Sequence, residues 1–278
     1  MLNKGLQVKS FSSTLPKFGK LGNLKSALPA LPFDKNKEYD LIVIGGGTGG
    51  ITAAVEAREL GMSVALFDYV APSPQGTQWG LGGTCVNVGC IPKKLYHIAA
   101  CTQDNYKAAE DFGWEPNEES QHKWNVLRDN IQGYIKSINF SYTKKMKETG
   151  IDYINATASF KDANTVEFGY KALFEDITNS FELKGKNFLI ATGGRPRGYP
   201  GIPDELAVTS DDLFSMDDPG TTLVVGGGYI AVECAGFLAG LGKRVHILNR
   251  STFLRTMDND MSDRIVEQLE EEGVITHT

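Results

Sequence analysis

One pattern occurs twice in this chain and limits its fold more than any other feature. Residues 39–44 (Tyr39-Asp40-Leu41-Ile42-Val43-Ile44) read as a buried strand, and Gly45-Gly46-Gly47-Thr48-Gly49-Gly50 follows. Residues 51–60, rich in Ala and Glu, read as a helix that Gly61 closes. Residues 63–67 read as the next strand, with Asp68 at its end. The pattern returns at residues 221–225, a strand, then Gly226-Gly227-Gly228-Tyr229-Ile230-Ala231. A helix over 232–241 comes next, closed by Gly242, then a strand over 244–248. Strand, glycine turn, helix and strand open a doubly wound sheet. The fold class is therefore α/β, with two Rossmann-like nucleotide-binding units and so two nucleotides.

The turns carry chemistry as well as shape. Gly45, Gly47 and Gly50 occupy the G-x-G-x-x-G positions. The first allows the tight turn, the second lets backbone reach a pyrophosphate, and the third lets helix meet strand. The helix N-terminus adds free N–H groups and a positive dipole end. Asp68 lies where an acid accepts ribose hydroxyls. In the second unit Gly226, Gly228 and Ala231 give the G-x-G-x-x-A variant. After its second strand comes Asn249 rather than an acid, with Arg250 and Arg255 close behind. An acid there suits a 2′-hydroxyl and arginines suit a 2′-phosphate, so this unit reads as specific for NADP.

Between the units, residues 91–101 and 124–148 read as amphipathic helices, and residues 153–181 as a strand region. Residues 186–191 form a further apolar strand, and the Gly- and Pro-rich stretch 193–203 marks the domain junction. Cys85 and Cys90, four residues apart, can close a small disulfide ring. Cys90 opens a helix with Pro92 in its first turn, where a missing N–H costs nothing. A helix N-terminus with nearby lysines stabilises a thiolate, so the pair suits thiol–disulfide exchange. Zinc is the alternative, but it usually asks for four ligands. Cys101 and Cys234 form no second close pair, and His97, His122, His246 and His277 are scattered. No metal site is expected, and Cys101 and Cys234 read as small buried apolar residues.

Residues 82–94 (Gly82-Gly83-Thr84-Cys85-Val86-Asn87-Val88-Gly89-Cys90-Ile91-Pro92-Lys93-Lys94) resemble the active-site segment of the pyridine nucleotide–disulfide oxidoreductases. The resemblance runs from about residue 39 to the C-terminus. Residues 71–81, 210–214 and 233–240 resemble the high-molecular-weight thioredoxin reductase branch. Glutathione reductases are shorter across the first of these stretches. Lys93-Lys94 differs from the Ser-Lys usual in lipoamide dehydrogenases.

The resemblance implies FAD on the first unit, NADPH on the second and a redox-active disulfide between Cys85 and Cys90. Cys90 would be the flavin-proximal sulfur and Cys85 the interchange thiol. Thr84 and one of Lys93 or Lys94 would contact the flavin, with Glu233 paired to that lysine. Ala158 and Thr192 match further flavin contacts, and Tyr229 a cover on the nicotinamide pocket. Tyr142 matches a tyrosine at the disulfide mouth, with ordinary packing as the other reading. The substrate implied is thioredoxin, with glutathione disulfide as the runner-up, and the full-length family member is a homodimer.

Composition sets the remaining bounds. A net charge of -6 argues against nucleic acid as a general partner. No apolar run approaches the ~18 residues of a membrane span. Residues 1–38 form a basic extension. Its first 33 residues hold Lys4, Lys9, Lys17, Lys20 and Lys25, four serines and no acid. That balance resembles a transit segment, although Arg is lacking, and suggests the mitochondrion or otherwise the cytoplasm. Residues 39–194 then form the FAD-binding domain. Residues 195–278 form an NADP-binding domain expected to be incomplete, ending after its second strand with no dimer domain. On that reading the 278 residues alone would not turn over thioredoxin. An inactive nucleotide-binding fragment is the contrasting hypothesis.

Overall fold

The structure is a computed structural model that describes residues 33–115, 121–171 and 178–277. Most of the basic N-terminal extension lies outside the described residues. The first glycine unit contains β2 (Leu41–Ile44), α1 (Thr48–Glu59) and β3 (Val64–Phe67), preceded by the short β1 (Glu38–Tyr39). With β4 (Asp152–Ile154) and β8 (Phe188–Ile190) the strands form a parallel sheet of order β4-β3-β2-β8. All four residues of β3 are buried, as a strand covered on both faces requires.

The strand region read from sequence resolves into a meander of β5 (Ala158–Asp162), β6 (Thr165–Lys171) and β7 (Thr178–Gly185). Tyr39 leaves the first sheet to pair with Gly185 of β7, which joins the meander to it. Phe33, Phe67, Phe168 and Phe181 meet mostly edge to face in the core between these sheets.

Among the described residues three α-helices, with a 3-10 turn at Ala108–Phe112 after the second, connect β3 to β4. They are α2 (Gly83–Val88), α3 (Cys90–Lys107) and α4 (Trp124–Thr149). After β8 the chain passes through the four-residue helix α5 (Ser210–Leu213) into the second unit, β9 (Thr222–Val225), α6 (Tyr229–Gly240) and β10 (Val245–Leu248).

Here the structure corrects the expected ending. The chain adds α7 (Asn259–Glu271) and a third parallel strand β11 (Ile275–His277), giving the order β11-β10-β9. Asp258 caps α7 by accepting from the Met261 N–H at 3.1 Å. The sequence signal was present in that cap and in the apolar face of α7, but β11 is only three residues long and reads weakly.

α3 and α6 pack so closely that a Cβ on Gly240 would sit 2.8 Å from the Ala100 Cβ. Tyr96, Trp124, Phe214 and Phe237 form a buried aromatic cluster joining α3 and α4 to α6. Burying each such ring is worth roughly 2–3 kcal/mol. One core therefore fixes α3, which begins at Cys90, relative to the second glycine-turn unit. Among the described residues no helix is long and apolar enough to cross a membrane.

Candidate active site

The first turn is closed by contacts that only glycine permits. A Cβ on Gly45, whose φ is +118°, would lie 2.2 Å from the Ala191 oxygen, and one on Gly50 would lie 1.8 Å from the Gly45 oxygen. Gly47 begins α1 with no side-chain cap and no acid in the first turn, so its N–H groups stay free for an anion. Asp68 accepts from the Gly46 N–H at 2.9 Å. Burial raises its carboxyl above the usual range, against the opposing Gly46 and Tyr69 N–H groups. Thr192 follows the Ala191 backbone that lies against Gly45, and half-buried Ala158 packs on the core that contains Phe67.

The cysteine segment crosses this turn. A Cβ on Gly83 would lie 2.6 Å from the Gly47 Cα, so two facing glycines allow the crossing. Thr84 and Cys85 stand on α2, with Thr84 exposed. Gly89, at φ −143° and ψ −116°, breaks the helix, and Cys90 is the first residue of α3. Both cysteines are free thiols, Cys85 half-buried and Cys90 exposed. Burial pushes the Cys85 thiol up, the hydrogen-bonded Cys90 sulfur pushes it further, and Lys93 opposes both.

Lys93 is the lysine that enters the site. Its Nζ donates to Glu233 Oε1 of α6 at 2.8 Å, while Lys94 is exposed. Glu233 is the main cause of the raised Lys93 pKa, opposed by burial, and Cys90 and Tyr229 add to it. The two side chains keep 28% and 38% of their surface, so the pair is worth under about 1 kcal/mol in stability. Its consequence is geometric, because it places an ammonium between the thiols and the second nucleotide unit.

Sequence reasoning missed two asparagines. Buried Asn87 donates to the carbonyls of Gly80 and Gly83 at 3.1 and 2.8 Å. Asn139 of α4 donates to Leu81 O at 2.8 Å and to Asn87 Oδ1 at 2.9 Å. Together they hold the entry to α2. Asn87 lies in the cysteine segment, but its partner Asn139 is 52 residues away, and the role of the two amides shows only when they meet.

The second turn opens onto a cavity of about 850 Å³ lined by Gly226, Gly228, Tyr229, Arg250 and Arg255. A Cβ on Gly228 would meet nothing within 4 Å. Ala231 takes the third motif position, its Cβ 4.0 Å from where a Cβ on Gly226 would stand. Asn249 is buried against the middle glycine, where a Cβ on Gly227 would lie 2.4 Å from its side-chain nitrogen. The Leu254 N–H donates to Gly227 O at 2.7 Å, which brings the loop carrying both arginines back over the turn.

The structure thus brings together Cys85, Cys90, Lys93, Glu233 and Tyr229. Tyr142 is partly buried against the core of α1, β2 and β3. Cys234 is buried, and burial pushes its thiol up to about 12. Cys101 differs from its expected buried place. It is exposed on α3, its sulfur 3.6 Å from His97 Nε2, because position 101 falls on the outer face of the helix. Among the described residues no cluster of three His, Cys, Asp or Glu side chains could hold a metal ion.

Two parallel glycine-turn units and a cysteine pair between them define a class of dinucleotide-dependent disulfide oxidoreductases. Residues 39–278 match the family described as pyridine nucleotide-disulphide oxidoreductase, and the chain belongs to that family. It is similar to thioredoxin reductase SEP1 of Emiliania huxleyi, with 48% identity over 241 residues, covering 85% of this chain and 47% of that protein. It is also similar to the thioredoxin reductases of Plasmodium falciparum isolates FCH-5 and 3D7. Each is 46% identical over 246 residues, or 86% of this chain, covering 44% and 39% of those proteins. The chain spans less than half the length of these curated relatives.

Proposed function

We propose that the protein carrying this chain is an FAD-dependent NADPH–disulfide oxidoreductase that reduces thioredoxin through Cys85 and Cys90. The observation that carries this reading is the meeting of the thiol pair with the Lys93–Glu233 bridge between two nucleotide turns. The free N–H groups at Gly47 and the backbone crossing at Gly83 fit a pyrophosphate-bearing flavin nucleotide, which Gly45, Gly50, Asp68, Thr84, Ala158 and Thr192 would help hold. The uncapped N-terminus of α6 and the cavity with Arg250 and Arg255 fit NADPH. The two cofactors, when bound, supply the hydride and electron transfer that returns the disulfide to a dithiol.

The chain's own residues carry the exchange. The Cys85 sulfur attacks one sulfur of the substrate disulfide, forming a mixed disulfide and releasing the first substrate thiolate. Cys90 then attacks the Cys85 sulfur, closing the Cys85–Cys90 disulfide and releasing the second thiolate. Two protons, one from each cysteine, balance the two substrate thiols. Lys93 and the N-terminus of α3 stabilise negative charge on Cys90 between the steps. Names of the relatives support thioredoxin as the substrate. NADPH oxidation by the purified protein, followed with oxidised thioredoxin and separately with glutathione disulfide, tests this. Turnover is expected with thioredoxin, and a preference for glutathione disulfide would overturn the substrate assignment.

A further inference from the structure

Residues 71–81 run without regular secondary structure from the end of the first unit's second strand to the glycines before Cys85. They fasten to the linker that enters the second unit. Buried Ser73 donates from Oγ to Asp212 Oδ1 at 2.5 Å. Gln75 donates from Nε2 to the carbonyls of Asp204 and Ala207, each at 2.9 Å. The Arg195 guanidinium lies 4.6 Å from the centre of the Trp79 ring and donates to Ala71 O at 3.0 Å. It also pairs with Asp211 at 2.7 Å. Asp211 is buried and its other oxygen has no hydrogen-bond partner among the described residues, so Arg195 is the cation that balances its charge.

The linker is therefore held before residue 196 and again from residue 204 onward. Between the two holds, Tyr199 and Pro200 line the cavity of the second glycine turn. At its far end the same segment is held to α2 and α4, where Gly80 O accepts from Asn87 and Leu81 O accepts from Asn139.

We propose that residues 71–81 are a strap that positions Tyr199 and Pro200 as a preformed wall for the dinucleotide, with Arg195 the principal positioning residue. The inference rests on the reading of this cavity as an NADPH site. A wall already held in place loses little freedom when the ligand binds, and a released wall must be ordered at the ligand's cost. Loosening the strap weakens NADPH binding in ground state and transition state alike. That raises KM and leaves kcat nearly unchanged. Asn87 and Asn139 hold Gly80 and Leu81 independently of the linker, so the cysteine segment stays in place and KM for the disulfide does not move.

The test uses two mild variants of the full-length flavin-loaded protein. Gln75→Ala removes two hydrogen bonds from an exposed side chain. Arg195→Lys keeps a cation for Asp211 but lacks the planar fork that stacks on Trp79. Calorimetric titration with NADP⁺ is expected to show Kd raised about threefold for Gln75→Ala and about tenfold for Arg195→Lys, with KM for NADPH rising in parallel. Flavin content and KM for the disulfide substrate are expected to match the unmodified protein. If Arg195→Lys does not fold, Gln75→Ala decides alone. Kd values within about 1.5-fold of the unmodified protein would overturn the strap, as would an equal rise in KM for the disulfide. An unmodified protein that binds NADP⁺ no more tightly than NAD⁺ would instead overturn the NADPH reading, before any variant is made.

Discussion

The two glycine turns share a backbone and differ in what stands over them. In each, the residue just after the second strand folds onto the middle glycine. A Cβ on Gly46 would meet the Asp68 side chain at 2.7 Å, and one on Gly227 would meet the Asn249 side chain at 2.4 Å. Asp68 brings a carboxylate that accepts from the turn, while Asn249 brings a neutral amide. Over the first turn lies the cysteine segment, and over the second an open cavity with two arginines. On the proposed reading, the same fold element would take one nucleotide or another through the charge of a few residues outside the glycine motif.

The largest effect should come from the cysteine segment over the first turn. Cys90→Ser is expected to lower disulfide reduction at least about 10³-fold, since removal of a reacting group costs on that scale. It should also abolish the long-wavelength thiolate–flavin absorbance of the reduced enzyme, which Cys85→Ser should retain. The reverse spectroscopic pattern would exchange the two roles.

Next comes the charge difference itself. Changing Arg250 and Arg255 together to Ala should raise KM for NADPH on the order of 10–100-fold, the loss of charge-assisted hydrogen bonds, with kcat little changed. Equal use of NADH and NADPH by the unmodified enzyme would contradict the reading of the second turn. Asn249→Asp sharpens the comparison further by giving the second turn the residue type of the first. It should shift preference from NADPH toward NADH by about tenfold, near 1.4 kcal/mol, measured as the ratio of the two kcat/KM values.

A smaller effect concerns pH. Burial raises the Asp68 carboxyl, so the folded state holds that proton more tightly than the unfolded chain does. Its contribution to stability is therefore present below about pH 4 and is lost as pH rises through the raised folded value. In flavin-stripped protein, the Tm of Asp68→Asn relative to the unmodified chain should rise across that interval. A Tm difference independent of pH would refute the linkage. The smallest effect is expected at the exposed face of α3, where Cys101→Ser should change turnover by less than about twofold, as surface substitutions usually do.

Legibility followed the distance over which each signal acts. The glycine turns, Asp68 and the start of α3 at Cys90 are set within a few residues and were readable, whereas the short helix α2 and its break at Gly89 were not read. The choice of Lys93 over Lys94 was not, because it depends on which lysine faces Glu233, 140 residues away. Cys101 was misjudged because composition does not say which face of α3 is covered. The roles of Asn87, inside the cysteine segment, and of distant Asn139 were not readable, since an amide shows its role only beside the carbonyls it satisfies.

The sequence by itself determined the α/β class, the paired nucleotide units, the thiol pair and the contrast between Asp68 and the Asn249–Arg250–Arg255 group. These follow from strand and helix periodicity, from positions where a side chain cannot fit, and from charge, all of which act along the chain. Only the tertiary structure decided that α3 packs on α6 with Lys93 reaching Glu233. It alone placed Arg195 between Trp79 and Asp211, and the third strand beside β10. Those outcomes depend on burial and hydrogen bonding between residues far apart in sequence, and such contacts exist only once the core has closed around them.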